Sequence, residues 1–261
     1  MNLDFTFTKY KKLCEKIVES EYTTLTFAQY FSSKNIPNKF IILRHDVDRK
    51  PENALKMAEL ENKLGIKSTY YFRSISQVFK PDIIKAINDF NHEIGYHYEV
   101  LDEAKGDLEN AIRIFGDALN KFREICDVRT ICMHGNPLSS WDNRNLWKRY
   151  DFKDFGIIGE PYLSIDYKET VYLTDTGRSW NSKFSVKDNV NLNASQAIEA
   201  IKNTDDVIRA IIKGNIEHLC ITAHPNRWSE SFGAWLKELL WQNVKNVGKA
   251  GIISSKKTFY D

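Results

Sequence analysis

The feature that most constrains this chain is an alternation. Short, continuously apolar runs are followed by stretches whose apolar residues recur at helical spacing. Phe40-Ile41-Ile42-Leu43 is such a run, the mark of a strand covered on both faces. After Pro51, Ala54, Met57, Ala58 and Leu64 fall on one helical face, and Gly65 follows as a C-terminal stop. Residues 66–72 (IKSTYYF) read as the next strand. Pro81 and Asp82 then open a helix carrying Ile83, Ile84 and Ile87. EIGYH (93–97) is a further strand, and Leu108 to Phe122 supply a long apolar stripe within a helix over about 104–125. Residues 128–133 (VRTICM) and 218–223 (HLCITA) complete the strand set, the latter between a helix around 195–213 and a last one carrying Leu236, Leu239, Leu240 and Val244. Strand and helix alternating in units of about thirty residues predict a parallel sheet or barrel.

Residues 1–261 read as one domain of that kind, with 1–38 a helix and turn leading into the first strand. Residues 150–192 break the pattern. They are rich in aromatics, Gly, Asp and Ser, and read as an irregular cover segment with a short strand candidate at 171–174.

The polar residues fall at one end of the expected strands. The first strand ends in Arg44-His45-Asp46-Val47-Asp48. EIGYH ends at His97 with Glu99 just beyond, 128–133 runs into His134, and 218–223 into His224. In a parallel barrel these ends share one face, where active sites are built. Each residue alone has a plainer role. Asp48, just before Pro51, suits a helix N-cap; His92 suits the last carbonyls of the preceding helix; His218 begins a strand and lies at the other end. Together, Asp46, Asp48, His97, His134 and His224 form a set that holds a divalent metal with an open position and moves protons beside it. That is the apparatus of metal-assisted amide or ester hydrolysis. Zinc is the default for mixed histidine and carboxylate ligands, while iron, cobalt or nickel accept a similar set.

Composition narrows the rest. Lys plus Arg number 37 against 35 Asp plus Glu, a net charge of +2, so nothing points to nucleic acid. No apolar run approaches the ~20 residues of a membrane span, and the opening residues lack a signal-peptide pattern. Cys14, Cys126, Cys132 and Cys220 are scattered and read as reduced, mostly buried thiols. A cytoplasmic protein is the expectation.

HDVD after the first strand, HEIGYH, and a late strand ending in HP, in this order, resemble the polysaccharide deacetylases of carbohydrate esterase family 4, also called nodulation-type chitooligosaccharide deacetylases. The resemblance runs from about Phe40 to Trp228. It implies a distorted (β/α) barrel of about seven strands and removal of acetyl groups from N-acetylated sugars with one divalent metal. Asp46 falls at the family's general base, His97 at its first metal histidine and His224 at its proton donor. The adjacent aspartate of the family is Val47 here, which leaves Asp48 as the nearest carboxylate ligand. The second metal histidine would be at 101, where this chain has Leu101. His134 or Glu99 could replace it, and like-for-like chemistry favours His134. Arg44, Asp175, Arg178 and Trp180 are placed by the same resemblance to orient the base or line a sugar site. The expected substrate is an N-acetylated sugar on a nucleotide-linked or lipid-linked glycan, as in surface-polysaccharide biosynthesis. The alternatives are a non-catalytic carbohydrate-binding descendant and a hydrolase of another C–N amide bond.

Overall fold

The computed structural model describes residues 3–180 and 201–258. Seven strands form one parallel sheet: β1 (Thr23–Leu25), β2 (Phe40–Val47), β3 (Thr69–Phe72), β4 (Glu93–Tyr98), β5 (Ile131–Met133), β6 (Val171–Thr174) and β7 (His218–Ala223). Their order is β5-β4-β3-β2-β7-β6. β7 takes one edge of β2, and two strands share the other: Thr23 to Leu25 pair with Phe40 to Ile42, and Thr69 to Phe72 pair with Arg44 to Val47. The result is the α/β half-barrel that the alternation predicts.

Two helices, α1 (Phe7–Val18) and α2 (Phe27–Ser32), precede β2, with β1 between them. The first 38 residues therefore hold more structure than the single helix and turn expected. α3 (Pro51–Lys63) joins β2 to β3, and α4 (Pro81–Asp89) joins β3 to β4. The long helix expected over about 104–125 is α6 (Leu108–Arg123), and a short helix, α5 (Val100–Glu103), precedes it. Asp107 divides them, because its carboxylate accepts from the backbone N–H groups of Glu109 and Asn110 and so starts a new helix. α7 (Pro161–Ser164) lies before β6, α8 (Thr204–Lys213) before β7, and α9 (Phe232–Thr258) ends the described chain. The expected cover segment supplies α7 and β6, while its residues 181–192, like 195–200 of the expected later helix, lie outside the described residues. No helix of the described residues is long and apolar enough to cross a membrane.

The period of two along each strand separates two packed layers. Phe40 and Ile42 of β2, Tyr71 of β3, Cys132 of β5, Tyr172 of β6 and Cys220 of β7 meet inside the curl, closed below by Phe27 of α2. Ile41, Leu43 and Val47 alternate with them and pack outward, in one layer with the apolar faces of α3, α4 and α6. All eight residues of β2 are buried, which is why its apolar run showed no alternation. At β4 the curl is too tight for a side chain: a Cβ on Gly95 would stand 2.2 Å from Cε1 of the buried Tyr71 and 3.0 Å from the carbonyl of Thr130.

β5 and β6 are not paired with each other, and the gap is bridged at one point by Thr130 and Gly159. Glu160 seals it from within, accepting from the backbone N–H of Met133 and of Leu163, each at 3.0 Å. Burial pushes its carboxyl up to about 7. The four cysteines are free, three of them buried and Cys126 half-buried.

Candidate metal centre

Because every strand is parallel, the C-terminal ends of β2, β4, β5 and β7 open on one face. There a cavity of about 620 Å³ is lined by Asp46, Asp48, His97, His134 and His224, among others. The five residues gathered by sequence position thus line one cavity.

Inside it three side chains converge. His97 Nε2 lies 3.5 Å from Asp48 Oδ1, and His134 Nε2 lies 3.7 Å from the same oxygen. That oxygen is buried and has no hydrogen-bond partner among the described residues. A buried, unpartnered carboxylate oxygen is costly unless something else satisfies it. The separations are close to the ~3.3 Å between donors around a tetrahedral ion with bonds of 2.0–2.1 Å. Each imidazole is turned by its other nitrogen. His97 Nδ1 donates to the carbonyl of Cys132 at 2.9 Å, and His134 Nδ1 donates to Glu99 Oε2 at 2.9 Å. Both bonds leave Nε2 free toward Asp48, the outer arrangement that ligating histidines commonly have. Asp48, His97 and His134 are therefore donors that could hold one divalent cation, on the two separations to Asp48 Oδ1. The trio whose donor atoms all lie within 4.8 Å of one another among the described residues is Asp46, His97 and Cys132. The Cys132 thiol packs in the barrel interior, outside the cavity lining, so the open set around Asp48 suits hydrolytic chemistry better.

Asp46 and His224 flank this group. Arg44 grips Asp46 with two parallel bonds, Nε to Oδ1 at 2.7 Å and Nη2 to Oδ2 at 2.6 Å. Burial works to raise the Asp46 carboxyl, but the Arg44 charge beside it, with His97 and His224, holds it below the usual range. Asp48 goes further down: burial is outweighed by the His97 imidazole beside it and by the charges of His134 and His224. His224 Nε2 lies 4.0 Å from Asp46 Oδ2 and from Asp48 Oδ2. Behind it, Asp175 Oδ1 is 2.6 Å from His224 Nδ1, and its Oδ2 accepts from the His224 backbone N–H at 3.0 Å. Arg227 Nη1 is 2.8 Å from the same Nδ1 but can only donate, and it also reaches Asp175 Oδ1 at 2.6 Å. A lone pair on Nδ1 would face the carboxylate, so the proton sits on Nδ1 and Nε2 points into the cavity.

No family model matches the chain, and no curated protein sequence does. Among solved structures it is similar to a CE4 family pseudoenzyme from Bacillus anthracis, at 17% identity and a TM-score of 0.41, over 82% of this chain and 63% of that one. A mutant of that protein with restored enzymatic activity gives 17% identity and 0.41, and this chain spans only 65% of its length. A family 4 carbohydrate esterase from Streptomyces lividans, in complex with acetate, gives 13% identity and 0.40 over 83% of this chain and 91% of that one.

Other expectations change with the fold. His45 sits at a strand end but points to the opposite face of β2, where it stacks on Tyr70 with ring centroids 4.2 Å apart and meets Glu61 Oε1 at 2.7 Å. Asp48 caps no helix; the N-cap of α3 is Lys50, with φ of 54° and no side-chain bond. His92 turns away from the end of α4, its Nε2 reaching the carbonyl of Ala58 on α3. Glu99, the alternative ligand, is held by His134 and by Arg73 Nε at 2.8 Å, which places it one layer behind the cavity. Of the four residues expected to orient the base or line a sugar site, none lines the cavity. Arg44 stands behind Asp46 and Asp175 behind His224. Trp180 is fully buried, its Nε1 bonded to Thr204, and Arg178 is clamped between the rings of Phe5 and Trp235. Sequence reading missed Arg49, Arg73, Arg227, Gln242 and Lys245, which do line it. The last two come from α9, whose inward face carries the polar residues.

Proposed function

We propose that this protein is a metal-dependent hydrolase that removes an acetyl group from an N-acetylated sugar conjugate. The observation that carries the reading is the buried, unpartnered Asp48 Oδ1 with two Nε2 atoms at 3.5 and 3.7 Å, flanked by a separate carboxylate and a separate imidazole. Asp48, His97 and His134 are the proposed ligands. When bound there, a divalent ion supplies Lewis-acid polarisation of the acetyl carbonyl and makes water more acidic.

The chain's own groups do the remaining work. Asp46, ionised and fixed by Arg44, accepts the proton of the attacking water at a carboxylate oxygen. His224, whose Nδ1–H is anchored on Asp175, presents Nε2 from the other side and gives a proton to the departing amine. Asp175 stabilises the imidazolium that this role requires, by charge and by hydrogen bond. Backbone N–H groups at the cavity wall are the expected partners of the developing oxyanion.

The deciding experiment measures acetate release from N-acetylated sugars by zinc-, iron- or cobalt-loaded protein, for wild type and Asp46→Asn. Release by wild type, and its loss in a variant that still binds metal, is the expected result. Turnover that survives in Asp46→Asn would remove the proposed base. No acetate from any loaded wild type would turn the reading toward a carbohydrate-binding protein or a different C–N bond.

A further inference from the structure

One side of the cavity mouth carries more positive charge than its carboxylates balance. Arg49, just after β2, and Lys245, on the inward face of α9, both line the cavity. A single buried carboxylate serves this corner: Glu238 lies 3.5 Å from Arg49 Nη2 and 3.2 Å from Lys50 Nζ. Lys245 has no ion pair among the described residues, and its ammonium lies 5.2 Å from the centroid of the Trp241 ring. Burial, with Arg49 and Arg227 nearby, pushes it down to about 8 against the pull of Glu238 and Asp48. The other cavity cations are already matched, Arg73 by Glu99 and Arg227 by Asp175. At this corner Arg49 shares Glu238 with Lys50, and Lys245 has no ion pair among the described residues, so cations outnumber the one carboxylate paired there.

We propose that Arg49 and Lys245 form a subsite for a phosphate or diphosphate on the substrate, on the side away from the scissile amide. The inference rests on the hydrolase reading above and names the substrate class: an anionic sugar conjugate, in place of a neutral glycan. A phosphate suits two cations from separate elements because its oxygens accept from both at once, a planar fork on one side and a compact ammonium on the other. Two carriers supply such a group, a nucleotide and a polyprenyl lipid. The outer face of α9 beside the mouth is apolar and exposed at Leu240, Val244 and Val247, which gives a lipid carrier somewhere to lie.

The test is direct binding by calorimetry on the full chain, chelator-treated and zinc-loaded. N-acetylglucosamine 1-phosphate is compared with N-acetylglucosamine for wild type, Lys245→Gln, Arg49→Gln and the charge-conserving Lys245→Arg. Wild type should prefer the phosphate, with a preference that shrinks as salt is added. Each glutamine variant should lower it roughly tenfold, and Lys245→Arg should keep most of it. A preference unchanged in both glutamine variants would put the anion elsewhere, and no preference in wild type would remove the subsite. Binding of UDP-N-acetylglucosamine and of farnesyl diphosphate-N-acetylglucosamine then assigns the carrier to the tighter one. If no acetate is released from any of them while the phosphate preference still depends on both cations, the hydrolase reading fails and the subsite stands.

Discussion

His134 Nδ1 donates to Glu99 Oε2 at 2.9 Å, and this bond decides which nitrogen His134 presents to Asp48. Arg73 holds the other oxygen of Glu99, so the carboxylate is fixed from behind. Glu99→Ala should leave metal stoichiometry near one at saturating zinc but weaken affinity roughly 10–100-fold. His134→Ala should lose the metal in dialysis against a mild chelator. Elemental mass spectrometry on both variants checks this, and equal loss in both would make Glu99 a ligand.

Asp175 plays the corresponding part for His224. Asp175→Asn removes the charge and leaves Nδ1 able to lose its proton to Nε2. The rate of acetate release should fall by about 10²–10⁴ with little change in KM. Steady-state kinetics beside metal stoichiometry separates this from a disturbed metal site.

Arg44 is buried with Asp46 as its ion partner. In Arg44→Met the burial of Asp46 is no longer opposed by that charge, so its carboxyl rises. The acid limb of the pH–rate profile should move to higher pH. Stability at neutral pH should drop by about 3–5 kcal/mol, because a buried charge loses its partner. The deficit should shrink as pH falls and the unpaired Asp46 takes a proton, which urea unfolding at pH 7 and pH 5 would show.

Acid stability should depend on Glu61, far from the cavity. Burial raises this carboxyl, but the His45 charge and hydrogen bond, with His92 and Ser68, outweigh it and hold Glu61 down at about 2. A carboxyl depressed in the folded state stabilises it above the unfolded value near 4.3, and that contribution is lost as pH falls toward 2. Its size is on the order of 3 kcal/mol. Glu61→Gln should be less stable at pH 7 and show a flatter decline in urea midpoint between pH 5 and 3.

Gly95 has no room for a methyl group. Gly95→Ala should cost at least about 1–3 kcal/mol and displace β4, so metal affinity should fall with stability. A thermal melt with and without zinc reads both effects.

Much of this was legible in the chain, because a parallel sheet leaves a strong local signature. Strands buried on both faces read as apolar runs, helices keep their period of 3.6, and strand ends are easily found. From these alone Asp46, Asp48, His97, His134 and His224 could be assigned to one face. The direction of a side chain at a strand end was harder, since one residue changes the face. His45 and Asp46 are neighbours in sequence, yet one joins Glu61 outside the curl and the other lines the cavity. The last helix was misleading for a related reason. Of the apolar residues by which it was recognised, Leu236, Leu240 and Val244 are exposed, while Glu238, Gln242 and Asn246 are buried.

The sequence by itself determined the class of fold, the end of the sheet where chemistry gathers and the residue types available there, because these follow from local periodicity and strand polarity. Only the tertiary structure decided that Glu99 orients His134, that Asp175 and Arg227 fix His224, and that Arg49 and Lys245 line the same cavity. Each of those relations joins residues that chain spacing does not connect, and the packing of the sheet and helices sets the distances between them.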